Sequence, residues 1–300
     1  MIESLAADLS GEGVDVTPDA SVAELTTYRI GGPVALLARV GTERELLAVA
    51  EAVQVHRPRV LVVGRGSNLL VADSGFAGLA VVLGGQFEGV EVGEATVRAG
   101  GAVALPVLAR RAAAAGRAGL EFFVGIPGSV GGAVRMNAGG HGRETADVLV
   151  NARVLDLDGG GWRELGVADL DLGYRCSSIG PRAVVVRADF TVGLDDPAAC
   201  EGRIVDVVRW RRDHQPGGAN AGSVFRNPEG DSAGRLIDAA GLRGLRVGGA
   251  AVSEKHANFF QAEPGASATD VRDLVLEVRR RVADRFAVEL VPELEMIGFE

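Results

Sequence analysis

Apolar positions recur along this chain in two rhythms, one helical and one strand-like, and the rhythm changes every ten to twenty residues. In TERELLAVAEAV at 42–53, Leu46, Leu47, Val49 and Ala50 form a helical stripe behind Thr42 and Glu45, whose spacing predicts a capping box. RVLVVG at 59–64 is short enough for a buried strand. AVVL at 80–83 and the alternating VEVGEATVRAG at 90–100 predict more strands, and VALPVLARRAAAAG at 103–116 returns to helix. Between 148 and 192 the strand rhythm dominates again, in VLVNARVLDLDGG and RAVVVRADFTV. Residues 197–214 read as a charged helix. The clearest helical stripe comes late: Val271, Leu274, Val275, Val278 and Val282 follow a capping box at Ser267 and Asp270. AVELVPELEMIGF then closes the chain as one or two strands. The mixture predicts an α+β protein.

Composition narrows the picture. Three hundred residues exceed what one core usually holds, so two or three domains are expected, the last starting near residue 193. A hydrophobic fraction of 47% and a mean hydropathy of +0.18 supply folded cores. No apolar run is long enough to span a membrane, and MIESLAADLS opens on acids where a secretory leader has a basic segment, so a cytoplasmic protein is expected. A net charge of −9 argues against nucleic acid as a partner, because phosphate neutralisation needs clustered cations. Cys176 and Cys200 show no metal-ligand spacing, so neither a metal site nor a disulfide framework is indicated. Lys255 is the only lysine, which excludes a Walker phosphate loop.

Two glycine clusters carry the chemical signal. GLEFFVGIPGSVGGAVRMNAGGHG at 119–142 holds eight glycines in twenty-four positions. Glycine at such density serves either tight turns or a ligand lying against bare main chain. VVGRGSNLLVAD at 62–73 follows a strand but lacks the third glycine and the helix of a Rossmann fingerprint. What survives is a strand–turn–strand whose amides and Ser67 hydroxyl can form an anion nest.

Together with TTYRIGG at 26–32, GYRCSSI at 173–179, NAGSVFRNP at 220–228 and VPELEMIG at 291–298, these clusters stand in an order that resembles the UDP-N-acetylenolpyruvoylglucosamine reductase family. The resemblance covers roughly residues 20–299. It implies a vanillyl-alcohol-oxidase type FAD-binding fold of two α+β subdomains, 1–84 and 85–192, followed by an α+β substrate-binding domain, 193–300. It implies non-covalent FAD held by Val63, Gly64, Arg65, Gly66, Ser67, Asn68 and Leu69, and by Gly125, Ile126, Pro127, Gly128, Ser129, Gly131, Asn137 and Gly139, with backbone amides on the pyrophosphate. NADPH is implied as the hydride donor and the enolpyruvyl ether of UDP-N-acetylglucosamine as the substrate. By the same resemblance Arg175 holds the substrate carboxylate, Ser223 donates a proton to the carbanion, and Glu293 completes the catalytic set, with Tyr174 and Asn227 as substrate contacts. A monomer is favoured.

The chain departs from the family pattern in places. Gly140 and His141 stand where an alanine and an aromatic are usual, so His141 either stacks on a bound ring or carries the flavin covalently. Arg209, Arg211, Arg212 and Arg226, with His214 nearby, are the candidates for neutralising the UDP pyrophosphate. The short stretch from Tyr174 to Ser223 is similar to the branch without a long tyrosine-bearing covering loop. The competing readings are an FAD oxidase on the same fold, with another small substrate, and a nucleotide-binding module without catalysis.

Overall fold

Local sequence signals place most of the helices, and they explain where each begins. The computed structural model describes residues 1–299 and contains α1 (Ile2–Gly11), α2 (Glu43–His56), α3 (Leu105–Ala114), α4 (Val130–Met136), α5 (Pro197–His214), α6 (Ala233–Ala239) and α7 (Ala268–Phe286). At the start of α2 the Thr42 hydroxyl accepts the Glu45 amide at 3.2 Å, as its spacing predicts. The Glu45 carboxylate turns instead to the Gly41 amide at 2.6 Å, so only half of the expected box forms. At α7 both halves form, and all five residues of the predicted stripe are fully buried. Each such aliphatic side chain contributes about 1.5–3 kcal/mol by leaving water.

The chain divides into two compact units. The first comprises Met1–Ala20, Ala35–Arg65 and Gly78–Trp210. One of its sheets has the order Asp15–Ser21, Pro33–Val40, Phe76–Leu83, Val60–Val63, with the last two strands parallel. The other is antiparallel throughout, in the order Gly161–Gly166, Leu149–Asp156, Ala183–Thr191, Thr96–Gly100, Val90–Val92. One core packs α1 and α2 against the first sheet through Leu5, Leu9, Leu46, Val49 and Leu79. A second joins α3, α4 and the short 3-10 turn Glu121–Gly125 to the antiparallel sheet. Cys200 and Ile204 of α5 belong to that core, so most of this helix joins the first unit, whereas composition suggests a new portion starting at 193.

The second unit gathers Ser21–Val34, Gly66–Ala77 and the chain from Arg211 on. Its core joins α6, α7 and the small antiparallel sheet Arg246–Val247, Ala250–Val252, Phe260–Ala262 to Tyr28 and Leu70. Only Glu295–Ile297 of the C-terminal stretch becomes strand, and it runs parallel to Leu69–Val71. The Asp73 carboxylate accepts the Ala268 amide at 2.8 Å, the Thr269 amide at 2.9 Å and the Thr269 hydroxyl at 2.6 Å, which fastens the 66–77 segment to the start of α7.

Candidate active site

In the first unit the two glycine clusters touch. Strand Val60–Val63 ends at buried Val63, and the next residue, Gly64, lies so close to Ser129 that a Cβ there would sit 2.4 Å from the serine hydroxyl. A side chain there would collide with that hydroxyl. Ser129 is the N-cap of α4 and its hydroxyl accepts the Gly132 amide at 3.2 Å. The next amides are also spent: Val130 donates to Val103 at 2.9 Å and Gly131 to Gly101 at 2.9 Å. The glycine at 131 thus lets α4 press on neighbouring backbone, with the Val185 carbonyl 3.1 Å from where a Cβ would be. Gly125, Ile126 and Gly128 are half-buried and Pro127 is exposed.

The donors left over lie in the other cluster. Among the described residues, no protein acceptor takes the amides of Arg65, Gly66 and Ser67. Gly66 sits at φ +57°, and a Cβ there would lie 1.9 Å from the Leu25 carbonyl oxygen, so only glycine is accommodated. Consecutive unpaired amides around a left-handed residue form the kind of nest that takes a phosphate oxygen. These donors and the Ser67 hydroxyl suit a phosphate of a dinucleotide such as FAD, and none of this requires a lysine.

The arginine of GYRC stands on a strained tip. Gly173 and Cys176 exchange backbone hydrogen bonds at 3.1 and 3.2 Å, leaving Tyr174 and Arg175 as the two residues of a tight turn. Arg175 has φ +57°, a conformation usually given to glycine or asparagine at this place in a turn. Its Nη2 donates to the Gly139 carbonyl at 3.1 Å and its guanidinium lies 5.0 Å from the centre of the Tyr174 ring, which is itself exposed. Asn137, expected at the cofactor, is fully buried: its Nδ2 donates to the Gly173 carbonyl at 2.9 Å and its Oδ1 accepts the Ala146 amide at 2.9 Å. Its side chain thus has no exposed surface, and both its ends are bonded to protein, one of them to the first residue of the turn. His141 is exposed and meets Trp210 edge-on with ring centres 5.0 Å apart. Its ring also covers Gly125, where a Cβ would lie 2.9 Å from Cδ2.

In the second unit, Ser223 and Glu293 come from segments separated by seventy residues and meet through backbone. The Glu293 amide donates to the Val224 carbonyl at 2.8 Å, and Ser223 pairs with Phe259 on its other side. Asn68 joins them: its amide donates to the Glu293 carbonyl at 3.0 Å, and its own carbonyl accepts the Glu295 amide at 3.0 Å. Expected as a cofactor contact, Asn68 spends its side-chain donor on the main chain of the glutamate, while buried Leu69 starts the strand beside it. Asn227 is exposed, and its side-chain oxygen accepts the Ala233 amide at 3.1 Å at the start of α6. Asn258, not singled out by sequence, is buried and double-bonded to Phe225, at 2.8 Å to its carbonyl and 3.0 Å from its amide. Its only sequence signal is a polar residue directly before two phenylalanines, in ANFF. Of the candidate phosphate cations, Arg209 pairs with Asp206 and Arg212 with Asp213, whereas half-buried Arg211 bonds neutral Gln215 at 2.7 Å.

Comparison with known proteins gives this geometry a context. A family profile described as the C-terminal domain of UDP-N-acetylenolpyruvoylglucosamine reductase matches residues 214–297, and one described as an FAD binding domain matches 34–165. The UDP-N-acetylenolpyruvoylglucosamine reductase of Methylorubrum extorquens is 44% identical over 100% of this chain and 96% of its own length. The Rubrobacter xylanophilus protein of the same name is 42% identical over 93% of this chain and 94% of its own. The crystal structure of the Thermus caldophilus enzyme superposes with a TM-score of 0.82 at 37% identity, covering 95% of this chain and 99% of that one. The FAD-binding profile and the superposition on the Thermus caldophilus enzyme agree with the α+β FAD-binding fold that the resemblance implies. The chain belongs to the UDP-N-acetylenolpyruvoylglucosamine reductase family, whose members are FAD-dependent oxidoreductases.

Proposed function

We propose that this chain reduces the enolpyruvyl ether of UDP-N-acetylglucosamine to UDP-N-acetylmuramate, with NADPH as electron source, in the cytoplasmic synthesis of peptidoglycan precursors. The observation that carries the reading is the pairing of motif with local build: Arg175 on a left-handed tip in one unit, and Ser223 beside Glu293 in the other. The chemistry that bound FAD supplies is two-electron transfer, from the nicotinamide to the enolpyruvyl methylene. Arg65, Gly66 and Ser67 would hold the cofactor with their main-chain donors.

The residues of the chain then manage charge and one proton. Addition at the methylene leaves negative charge on the neighbouring carbon, and that charge flows into the carboxylate. Arg175 answers it with a planar fork of donors suited to a carboxylate. Preorganised donors aimed at developing charge are usually the largest catalytic contribution. Ser223 delivers the proton from its hydroxyl, which suffices because the acceptor is a strong base. Glu293, one hydrogen-bonded step from the serine strand, completes the set by orienting donors.

The test separates the two half-reactions by stopped-flow flavin absorbance. Ser223→Ala is expected to leave flavin reduction by NADPH nearly intact and to slow reoxidation by the enolpyruvyl substrate by on the order of 10²–10⁴-fold. Arg175→Lys is expected to damage the same half-reaction and substrate binding with it, because a point charge lacks the fork. Equal slowing of both half-reactions by Ser223→Ala would remove the serine from proton transfer. Reoxidation by oxygen alone, indifferent to the UDP-sugar, would replace the reductase with an oxidase.

A further inference from the structure

The GYRC turn is fastened at several points to the far end of the helix that begins in the glycine loop. The Ser177 hydroxyl donates to the Arg135 carbonyl at 2.7 Å, Arg175 donates to the Gly139 carbonyl at 3.1 Å, and between them Asn137 donates to the Gly173 carbonyl at 2.9 Å. Asn137 is also the left-handed cap of α4, with φ 42°, its own backbone amide returned to Val134 and that of Ala138 to Ala133. Asparagine follows glycine in preference for that place, and it alone of the two brings an amide. Here the amide is fully buried and satisfied at both ends, by Gly173 and by Ala146.

We infer that Asn137 is a positioning residue: its side-chain amide fixes the Gly173–Cys176 turn so that Arg175 is held in its left-handed conformation, aimed for the substrate carboxylate. The inference rests on the role proposed above for Arg175. Three features favour it over a merely structural part. The bond goes to the first residue of the turn itself. The turn's second central residue occupies a conformation that arginine disfavours, so something must hold it there. The Gly173 carbonyl that accepts from Asn137 also accepts the Cys176 amide at 3.2 Å, so loss of the side chain loosens the turn directly.

The decisive variant is Asn137→Gly, which keeps the left-handed cap and removes only the amide. In the FAD-loaded enzyme, hydrogen exchange at the Gly173 and Cys176 amides should quicken, and the FAD dissociation constant should stay within about twofold of wild type. Reoxidation by the enolpyruvyl UDP-sugar should fall about tenfold to a hundredfold, the cost of a small misplacement of a catalytic group. The same substitution added to Arg175→Ala should cost nothing further, because a residue that acts only through the arginine has nothing left to position. Unchanged exchange in the turn, a tenfold or greater loss of FAD affinity, or a full additional loss in the Arg175→Ala background would each overturn the inference. If Asn137→Gly does not fold, Asn137→Asp takes its place, since it keeps the acceptor for Ala146 and loses the donor for Gly173. Failure of the wild-type enzyme to be reoxidised by the UDP-sugar would strike the proposed function instead, while the exchange and FAD measurements still decide the place of Asn137.

Discussion

Arg175 and Asn137 are both left-handed, at φ 57° and 42°, but they bear that conformation at different cost. Asparagine visits it readily; a long side chain does so at roughly 1–3 kcal/mol unless its surroundings compensate. Arg175→Gly is therefore expected to leave the thermal midpoint unchanged or to raise stability by up to about 1 kcal/mol, while reoxidation by the enolpyruvyl substrate collapses. A clear drop in stability would show that the bond to Gly139 and the Tyr174 contact more than offset the strain. His141 is a second residue with a direct test. Its ring is edge-on to Trp210 and over Gly125, and FAD is expected to be bound without a covalent link to it. Acid precipitation should release the flavin to the supernatant, and yellow colour kept in the pellet would implicate His141 as an attachment point. Sequence named Arg175, Ser223 and Glu293 through their motifs, but it could not show that Asn68 and Asn137 serve the main chains around them. An amide's partner is set by what folding brings within 3 Å, and nothing within a dozen residues of Asn68 announces Glu293.

Among the elements, α4 is the one that composition conceals. Gly131 and Gly132 each lower helix propensity by about 1 kcal/mol relative to alanine, so the segment reads as turns. It forms because Ser129 caps it and the backbone of Gly101 and Val103 accepts its first amides. The stretch α7, by contrast, was fully legible, since cap and stripe agree and no tertiary bond is needed to see them. The closeness of Gly64 to Ser129 gives a prediction at this scale. Gly64→Ala would set its Cβ 2.4 Å from the serine oxygen but 3.5 Å from the serine Cβ, so the collision is with the hydroxyl alone. Ser129→Ala should cost about 1 kcal/mol as a lost cap. The double variant should then be less destabilised than the two singles added together, because the second substitution removes what the first one strikes. Simple additivity in urea midpoints would mean that Gly64 is required for another reason, such as the approach of the cofactor.

At the scale of the whole molecule, the second unit is assembled from pieces nearly two hundred residues apart, and Asp73 is a polar tie between two of them. Desolvation alone would raise its carboxyl, but the Thr269 hydroxyl and the Ala268 and Thr269 amides outweigh it and hold the group below its ordinary value. A carboxylate depressed in the folded state binds fewer protons there than in the unfolded chain. Its contribution is therefore fully present above the unfolded value, near 3.9, and disappears as pH falls through the lower folded value. Asp73→Asn keeps the shape and removes the charge, and its amide nitrogen turns a donor toward Thr269 donors. It should destabilise the protein at pH 7 by about 1 kcal/mol, in the range of a lost helix cap. Because the wild type loses the same interaction when protonated, the gap between the two urea midpoints should narrow from pH 5 to pH 3. The sequence shows the aspartate, in VAD, and the cap, in SATD, but it does not show that they belong together: that depends on the parallel pairing of Leu69–Val71 with Glu295–Ile297 and on the burial of α7 beneath them. A gap that stays constant across that pH range would assign the loss in Asp73→Asn to geometry and remove the carboxylate charge from the account of how the second unit is held.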